Sequence, residues 1–482
     1  MRYWFILLLI WHLPVMAVEL PDMGTSASTT MSLEEEKKLG EEFFQEFKKQ
    51  ADVIEDVEIS QYINYLGNKL VAYSDSPTQD FYFFVVNEAS INAFAVPGGY
   101  IGVHSGLIFT TRTEGELASV MAHEIAHVTQ RHIARTIEGT TSSLPLLIAT
   151  AVAALLLGGS NPDVAQAAVA AAAAGGVQLQ LNFTRAHEKE ADRIGMQLLA
   201  NSGFDPRQMP SFFERMHEAT RFGGGKNIPE LLRSHPVTLN RIAESRDRAE
   251  KYQHSVIEDE VLYHLMKAKL LVRIEHNYPK LIKKLQLLLK EGRYRDERAM
   301  RYALALANLE SNQISDVESQ LAWLIKNDTD RITYRVLQAR LAWLNKDEVK
   351  ATKIYEDALK IYPGDQLLTL NYADYLLQNK QIQKAKKLLE VMPKFQHVHP
   401  KYYHLLANAS RQLGKSAEFH LAMAEYHYLR GELGLAVEQL EQARKLKTID
   451  FYLAARIEAR FKELQQKLHD RQGKEKEKSA RK

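Results

Sequence analysis

The stretch 120-VMAHEIAHVTQRH-132 carries His123, Glu124 and His127 in the order H-E-x-x-H. On a helix, residues four apart lie one above the other on the same face. Two imidazoles placed that way can occupy adjacent corners of a zinc tetrahedron. Glu124 is one step on, so it points beside the metal, where a general base for a water molecule belongs. Three residues in a familiar order arise by chance in a few per cent or so of chains this long and this rich in histidine. The surroundings must supply a third ligand and a place for substrate.

Working outward, Thr113 and Glu116 stand at capping-box spacing and give the motif helix a start. Upstream, 81-FYFFVVN-87 reads as a buried strand, and 92-NAFAVPGGYIGV-103 as two short strands around Pro97-Gly98-Gly99. An edge strand there could pair with an extended substrate through main-chain hydrogen bonds. A plain structural hairpin accounts for the residues equally well. Before it, 32-SLEEEKKLGEEFFQEFKKQ-50 reads as a charged helix capped by Ser32, with a second helix over about 57–73.

The chain has 482 residues and no cysteine. Disulfides, thiolate zinc sites and a thiol nucleophile are excluded, so a third ligand must be His, Asp or Glu. In 187-HEKEADRIG-195, Glu188 and Asp192 share a helix face, and Glu190 points elsewhere. Glu188 would bind the metal, and Asp192 would hydrogen-bond an imidazole N–H of His123 or His127. Taken alone, the stretch reads as a solvated charged face; the upstream motif reverses that preference. His132, five beyond His127, turns off the metal face of a continuous helix, and His187 reads as solvated; neither receives a role.

Other segments bound the biology. Arg2, the apolar run that follows it and Ala17 read as a cleaved signal peptide over 1–17, with the periplasm as the best-fitting compartment. The apolar run is shorter than the ~20 residues of a spanning helix. Two further apolar segments fill 139–180; they read as a buried helical hairpin, or alternatively as a flap giving peripheral membrane contact through 144–157. Asp205-Pro206 and Pro236 each read as marking the first turn of a helix. A net charge of +2 offers no global field for nucleic acid.

In the C-terminal half, Ala305, Ala339, Ala373 and Ala407 recur every 34 residues. Ala339, Ala351, Tyr355, Ala358 and Pro363 match the small, aromatic and proline positions of a tetratricopeptide repeat. Ala424, Ala436, Leu440 and Ala443 keep those offsets after a half-repeat shift. The expected architecture is mainly α. It comprises an α+β gluzincin-type metallopeptidase domain with a small sheet over 30–252, an α-solenoid over 258–468 and a frayed, disordered basic tail over 469–482.

Together H-E-x-x-H, the later E-x-x-x-D, 234-SHPVTLNR-241 and 92-NAFAVPGGYIGV-103 resemble the metallopeptidase family that includes HtpX and the CaaX prenyl protease. The signal peptide and repeats make the chain most similar to the periplasmic BepA-type members. The resemblance implies one zinc ion per chain, held by His123, His127 and Glu188, with Glu124 as base and Asp192 as the carboxylate behind a ligand. It implies His235 as a further, regulatory metal ligand and Arg241 as a residue that holds substrate or stabilises the transition state. It also implies a peptidase–chaperone acting on misfolded or stalled outer-membrane β-barrel proteins, with the repeats meeting the barrel-assembly machinery. The rival expectation is a non-proteolytic periplasmic adaptor with a structural or vestigial metal site. The residues themselves add that His235 follows Gly223-Gly224-Gly225, a hinge on which its segment could move, and that Arg241 lies six residues on along the same expected helix.

Overall fold

A computed structural model describes residues 31–77, 79–138, 185–222, 229–252, 261–393, 398–446 and 449–480. The expected signal peptide, the 139–180 segments with their membrane contact, and the triple-glycine hinge lie outside the described residues. No helix among the described residues is long and apolar enough to cross a membrane.

Helix α1 (Leu33–Gln50) starts at Ser32 with a complete capping box to Glu35, and α2 (Val57–Val71) starts at Asp56. Three strands follow: β1 (Tyr82–Val86), β2 (Ala93–Val96) and β3 (Tyr100–His104). Their order is β1-β3-β2, with β1 parallel and β2 antiparallel to β3, so β2 is an edge. The hairpin tip needs left-handed backbone, which Gly98 and Gly99 supply at φ 77° and 83°. A side chain at Gly99 would meet the Asp80 carbonyl oxygen at 2.2 Å.

Helices α3 (Ser105–Thr110) and α4 (Glu114–Thr129) come next, and every residue of α4 from Glu114 to Val128 is buried. Thr113 caps α4 by accepting from Glu116 N–H, but the Glu116 carboxylate turns away to Arg112 N–H and Arg215. The expected capping box is therefore only half formed. After α4 come α5 (His132–Glu138), α6 (Arg185–Asn201), α7 (Gln208–Phe222), α8 (Glu230–Ser234) and α9 (Leu239–Ala249). Two expected starts move. Asp205-Pro206 forms a turn ahead of α7, which begins at Gln208. Thr238, not Pro236, begins α9. His235 caps the C-terminus of α8, so it and Arg241 lie on different elements.

The repeat half is a run of helices: α10 (Val261–Ile274), α11 (Tyr278–Lys290), α12 (Glu297–Glu310), α13 (Ile314–Asn327), α14 (Ile332–Leu344), α15 (Glu348–Ile361), α16 (Gln366–Gln378), α17 (Ile382–Glu390), α18 (Pro400–Gln412), α19 (Ser416–Leu429), α20 (Leu433–Arg444) and α21 (Phe451–Ala480). Ala305, Ala339, Ala373 and Ala407 are all buried, as are Ala424, Ala436, Leu440 and Ala443. Small side chains there let neighbouring helices approach. The final helix α21 continues to Ala480, and Arg471 pairs with Glu46 of α1.

The repeats pack back on the N-terminal helices. Glu58 at the start of α2 is buried and receives Lys269 Nζ at 2.5 Å, Tyr302 Oη at 3.3 Å and the Thr333 hydroxyl. At the far end, Tyr428 and Lys467 bond Glu41, and Arg430 pairs with Glu55. Part of the repeat surface is thus covered by the chain's own α1 and α2.

Candidate metal centre

Helix α6 lies directly on α4. Its Gly195 sits so close that an added Cβ would stand 3.0 Å from the His123 amide nitrogen. That approach brings Glu188 and Asp192 to the motif histidines. His235 arrives from the end of α8, which is pinned to the loop after β1: Glu230 accepts from Ser90 Oγ at 3.0 Å, and Leu231 N–H donates to Ile91 carbonyl at 3.1 Å.

His123, His127, Glu188 and His235 each offer a ligand atom, all within 4.8 Å of one another, and all four residues are buried. His127 Nε2 lies 3.0 Å from His123 Nε2, which lies 3.4 Å from His235 Nδ1. Glu188 places Oε2 3.5 Å from His123 Nε2, and Oε1 3.5 Å from His127 Nε2 and 2.8 Å from His235 Nδ1. Tetrahedral zinc with nitrogen ligands has an edge of about 3.3 Å. The spacings observed bracket that value, and imidazole with carboxylate is a donor set that zinc accepts. A neutral imidazole carries one N–H, so nitrogen facing nitrogen around one carboxylate leaves lone pairs that a cation would satisfy. The residues fit zinc.

Behind the quartet, His123 Nδ1 is 3.1 Å from Asp192 Oδ1. Arg241 grips Asp192 through Nε at 2.8 Å and Nη2 at 2.7 Å, and reaches Glu188 Oε2 with Nη1 at 2.8 Å. Nη1 also donates to the Pro236 carbonyl at 2.9 Å. These nitrogens are committed to Asp192 behind the quartet and to Glu188 within it, which favours holding ligands over holding substrate. Burial opposes charge on Asp192 and Glu188, but hydrogen bonds and charges from His123, Arg241 and His235 outweigh it, so both carboxyls sit below their ordinary range. Burial would lower His123 too, yet Asp192 and Glu188 push it up to about 10. His127 falls well below the ordinary range through burial and the charges of His123 and His235.

Glu124 is buried, which pushes its carboxyl up; His235, His123 and the Ala95 N–H on edge strand β2 oppose that rise. Its Oε1 lacks a hydrogen-bond partner and lies 3.6 Å from His235 Nε2. The base, the edge strand and the fourth imidazole therefore meet at one point.

A profile for Peptidase family M48 matches residues 59–249, and a tetratricopeptide-repeat profile matches 342–409. The chain is 35% identical over 455 residues to the putative beta-barrel assembly-enhancing protease of Vibrio cholerae, covering 93% of this chain and 92% of that one. It is 34% identical over 447 residues to the beta-barrel assembly-enhancing protease of Escherichia coli, covering 93% and 91%. The chain belongs to peptidase family M48. A mitochondrial metalloendopeptidase of Arabidopsis thaliana is 35% identical over 157 residues, only 33% of this chain and 29% of that one. The M48 match spans all seven expected site residues, and the structure gathers all seven in one place.

Three residues that spacing leaves without a role, His132, Glu190 and His187, lie beside these seven. His132 does not turn away: it begins α5 and faces His127, with Nδ1 atoms 2.9 Å apart. Its Nε2 lies 3.1 Å from Glu190 Oε2, which Arg135 also holds at 2.8 Å. His187, expected to be solvated, is buried and stacks on His132, with ring centroids 4.4 Å apart. Their signal lies across a helix break and between distant segments, where spacing along the chain carries no information.

Proposed function

We propose that this M48 metallopeptidase is a zinc-dependent endopeptidase with a chaperone-like role, working in the periplasm on outer-membrane β-barrel proteins. The observation that carries the reading is the buried quartet His123, His127, Glu188 and His235 with Glu124 beside it. The names of the Vibrio cholerae and Escherichia coli relatives support the substrate class, and the repeats support recruitment of assembly partners.

His123, His127 and Glu188 would hold the metal. Zinc bound there would polarise a peptide carbonyl and acidify a water molecule. Glu124 takes the proton from the attacking water at its unpartnered Oε1 and returns it to the leaving amide nitrogen. Its burial, which favours the protonated acid, suits it to that return step. Asp192 fixes the His123 ring, and Arg241 positions Asp192 and Glu188. An extended substrate would lie along the β2 edge, except that the Ala95 N–H is already used by Glu124.

His235 stands between Glu188 and Glu124 and would supply a fourth donor to the metal. With metal bound it would act as a latch over the position a water needs, held by the Ser90–Glu230 contact. Zinc content and cleavage of an unfolded protein substrate test the reading together. Glu124→Gln should keep zinc and lose proteolysis by about 100-fold or more. His235→Ala should keep zinc and cleave faster than wild type. If Glu124→Gln matches wild type both in proteolysis and in outer-membrane protein assembly, the chain is an adaptor.

A further inference from the structure

We propose that His132 is a positioning residue for the metal centre: it accepts the Nδ1–H of His127 and donates its own Nε2–H to Glu190. The inference rests on the zinc reading above and extends it to residues outside the ligand set.

Proton accounting allows one arrangement. His127 directs Nε2 into the quartet, 3.0 Å from His123 Nε2 and 3.5 Å from Glu188 Oε1. A ligating Nε2 must be unprotonated, so the ring's one proton sits on Nδ1. That N–H is 2.9 Å from His132 Nδ1, which must then accept. The remaining His132 proton falls on Nε2, 3.1 Å from the Glu190 carboxylate. Arg135 on the same carboxylate oxygen keeps Glu190 in the anionic, accepting form.

The chain is bent to make this contact. On a continuous helix, residues five apart point about 140° from one another. Between α4 and α5, Arg131 adopts the left-handed φ of 52°, which only a few per cent or so of non-glycine residues do. Its guanidinium is tied to Glu36 at 2.8 Å and to the Met31 carbonyl. The break turns His132 back onto His127, and the stacked His187 ring, 12° from coplanar, fixes its plane. The two motif histidines are thus held differently. His123 meets the Asp192 carboxylate directly, whereas His127 reaches Glu190 through an intervening imidazole.

The test uses the full chain, with zinc alone as the probe in competition with a chelator at neutral pH. His132→Leu should weaken zinc binding about 10- to 100-fold. The unfolding temperature of its metal-free form should stay near that of wild type. His132→Asn, which keeps an acceptor near the Nδ1 position, should recover most of the affinity. Wild-type zinc affinity in His132→Leu overturns the proposal; so does a loss that His132→Asn fails to rescue. Should His132→Leu fail to fold, Glu190→Leu decides. A several-fold loss of zinc affinity supports the relay, and unchanged affinity overturns it. A wild-type chain that binds no zinc removes the metal reading itself, a separate result.

Discussion

At the scale of single residues, His123 shows how much depends on the carboxylates around an imidazole. Asp192 and Glu188 push its ring up to about 10 against the effect of burial, so the metal-free site holds a proton there. That contribution to the metal-free fold is complete below the ordinary value of 6.5 and disappears as pH rises through about 10. Zinc requires an unprotonated nitrogen, so loading at a pH of about 8 should release about one proton per ion. Calorimetric titration in buffers of different ionisation enthalpy reads that number directly; heats independent of the buffer would contradict it. Single residues also differ in how far local spacing along the chain places them. His123, Glu124, His127, Glu188 and Asp192 follow from helical spacing, because helix geometry ties position in the chain to position in space. His132 follows a break at Arg131, a left-handed residue that looks like any other arginine in the sequence, and Glu190 lies on a third helix.

At the scale of elements, two features decide the geometry. Gly195 lets α6 lie against the backbone of α4 at His123. Gly195→Ala gains about 1 kcal/mol of helix propensity, yet its Cβ would press on the His123 amide and the Ala122 carbonyl, both backbone atoms. Net stability should change by less than about 1 kcal/mol, while zinc affinity drops several-fold as Glu188 moves back. Urea unfolding and chelator competition separate the two effects. The second feature is a turn that recurs through the repeats. Asn312, Lys346, Lys380 and Gly414 take φ of 57°, 63°, 57° and 70°, again 34 residues apart. Each is followed by a residue whose N–H bonds five residues back, as Gln313 to Asn308 and Gln381 to Leu376. These are Schellman endings, in which glycine costs least. Lys380→Gly should therefore stabilise the chain by about 1 kcal/mol, measured by urea unfolding. The alanine period was legible because packing demands small side chains. This second period was not, since a turn conformation can be met by asparagine, lysine or glycine.

At the scale of the whole molecule, the repeats close back on the N-terminal helices. The Glu58–Lys269 pair anchors one end, and the Glu41, Glu46 and Glu55 contacts anchor the other. Lys48 lies in that second contact, its ammonium end enclosed against the Leu429 carbonyl. Burial pushes it down from 10.5 to about 7, against the attraction of Glu55. A base with a depressed folded value binds fewer protons folded than unfolded between those two limits. Its penalty is full below about 7 and fades as pH rises towards 10.5, so stability should rise across that window. Lys48→Met should remove this part of the slope. Thermal unfolding of both proteins from neutral to alkaline pH checks it; parallel profiles would contradict the assignment.

The sequence by itself determined the helical class, the alanine period of the repeats, the strand–hairpin–helix order and the residue types that make up the candidate metal cluster. Each of these is written in local periodicity, turn chemistry or the absence of cysteine. Only the tertiary structure decided that His235 and Arg241 come from different elements, that Arg241 faces carboxylates, and that His132 backs His127. It alone folded α1 and α2 against the repeats. Those outcomes depend on how helices distant along the chain pack together, and a spacing rule that holds within one helix says nothing about its neighbour.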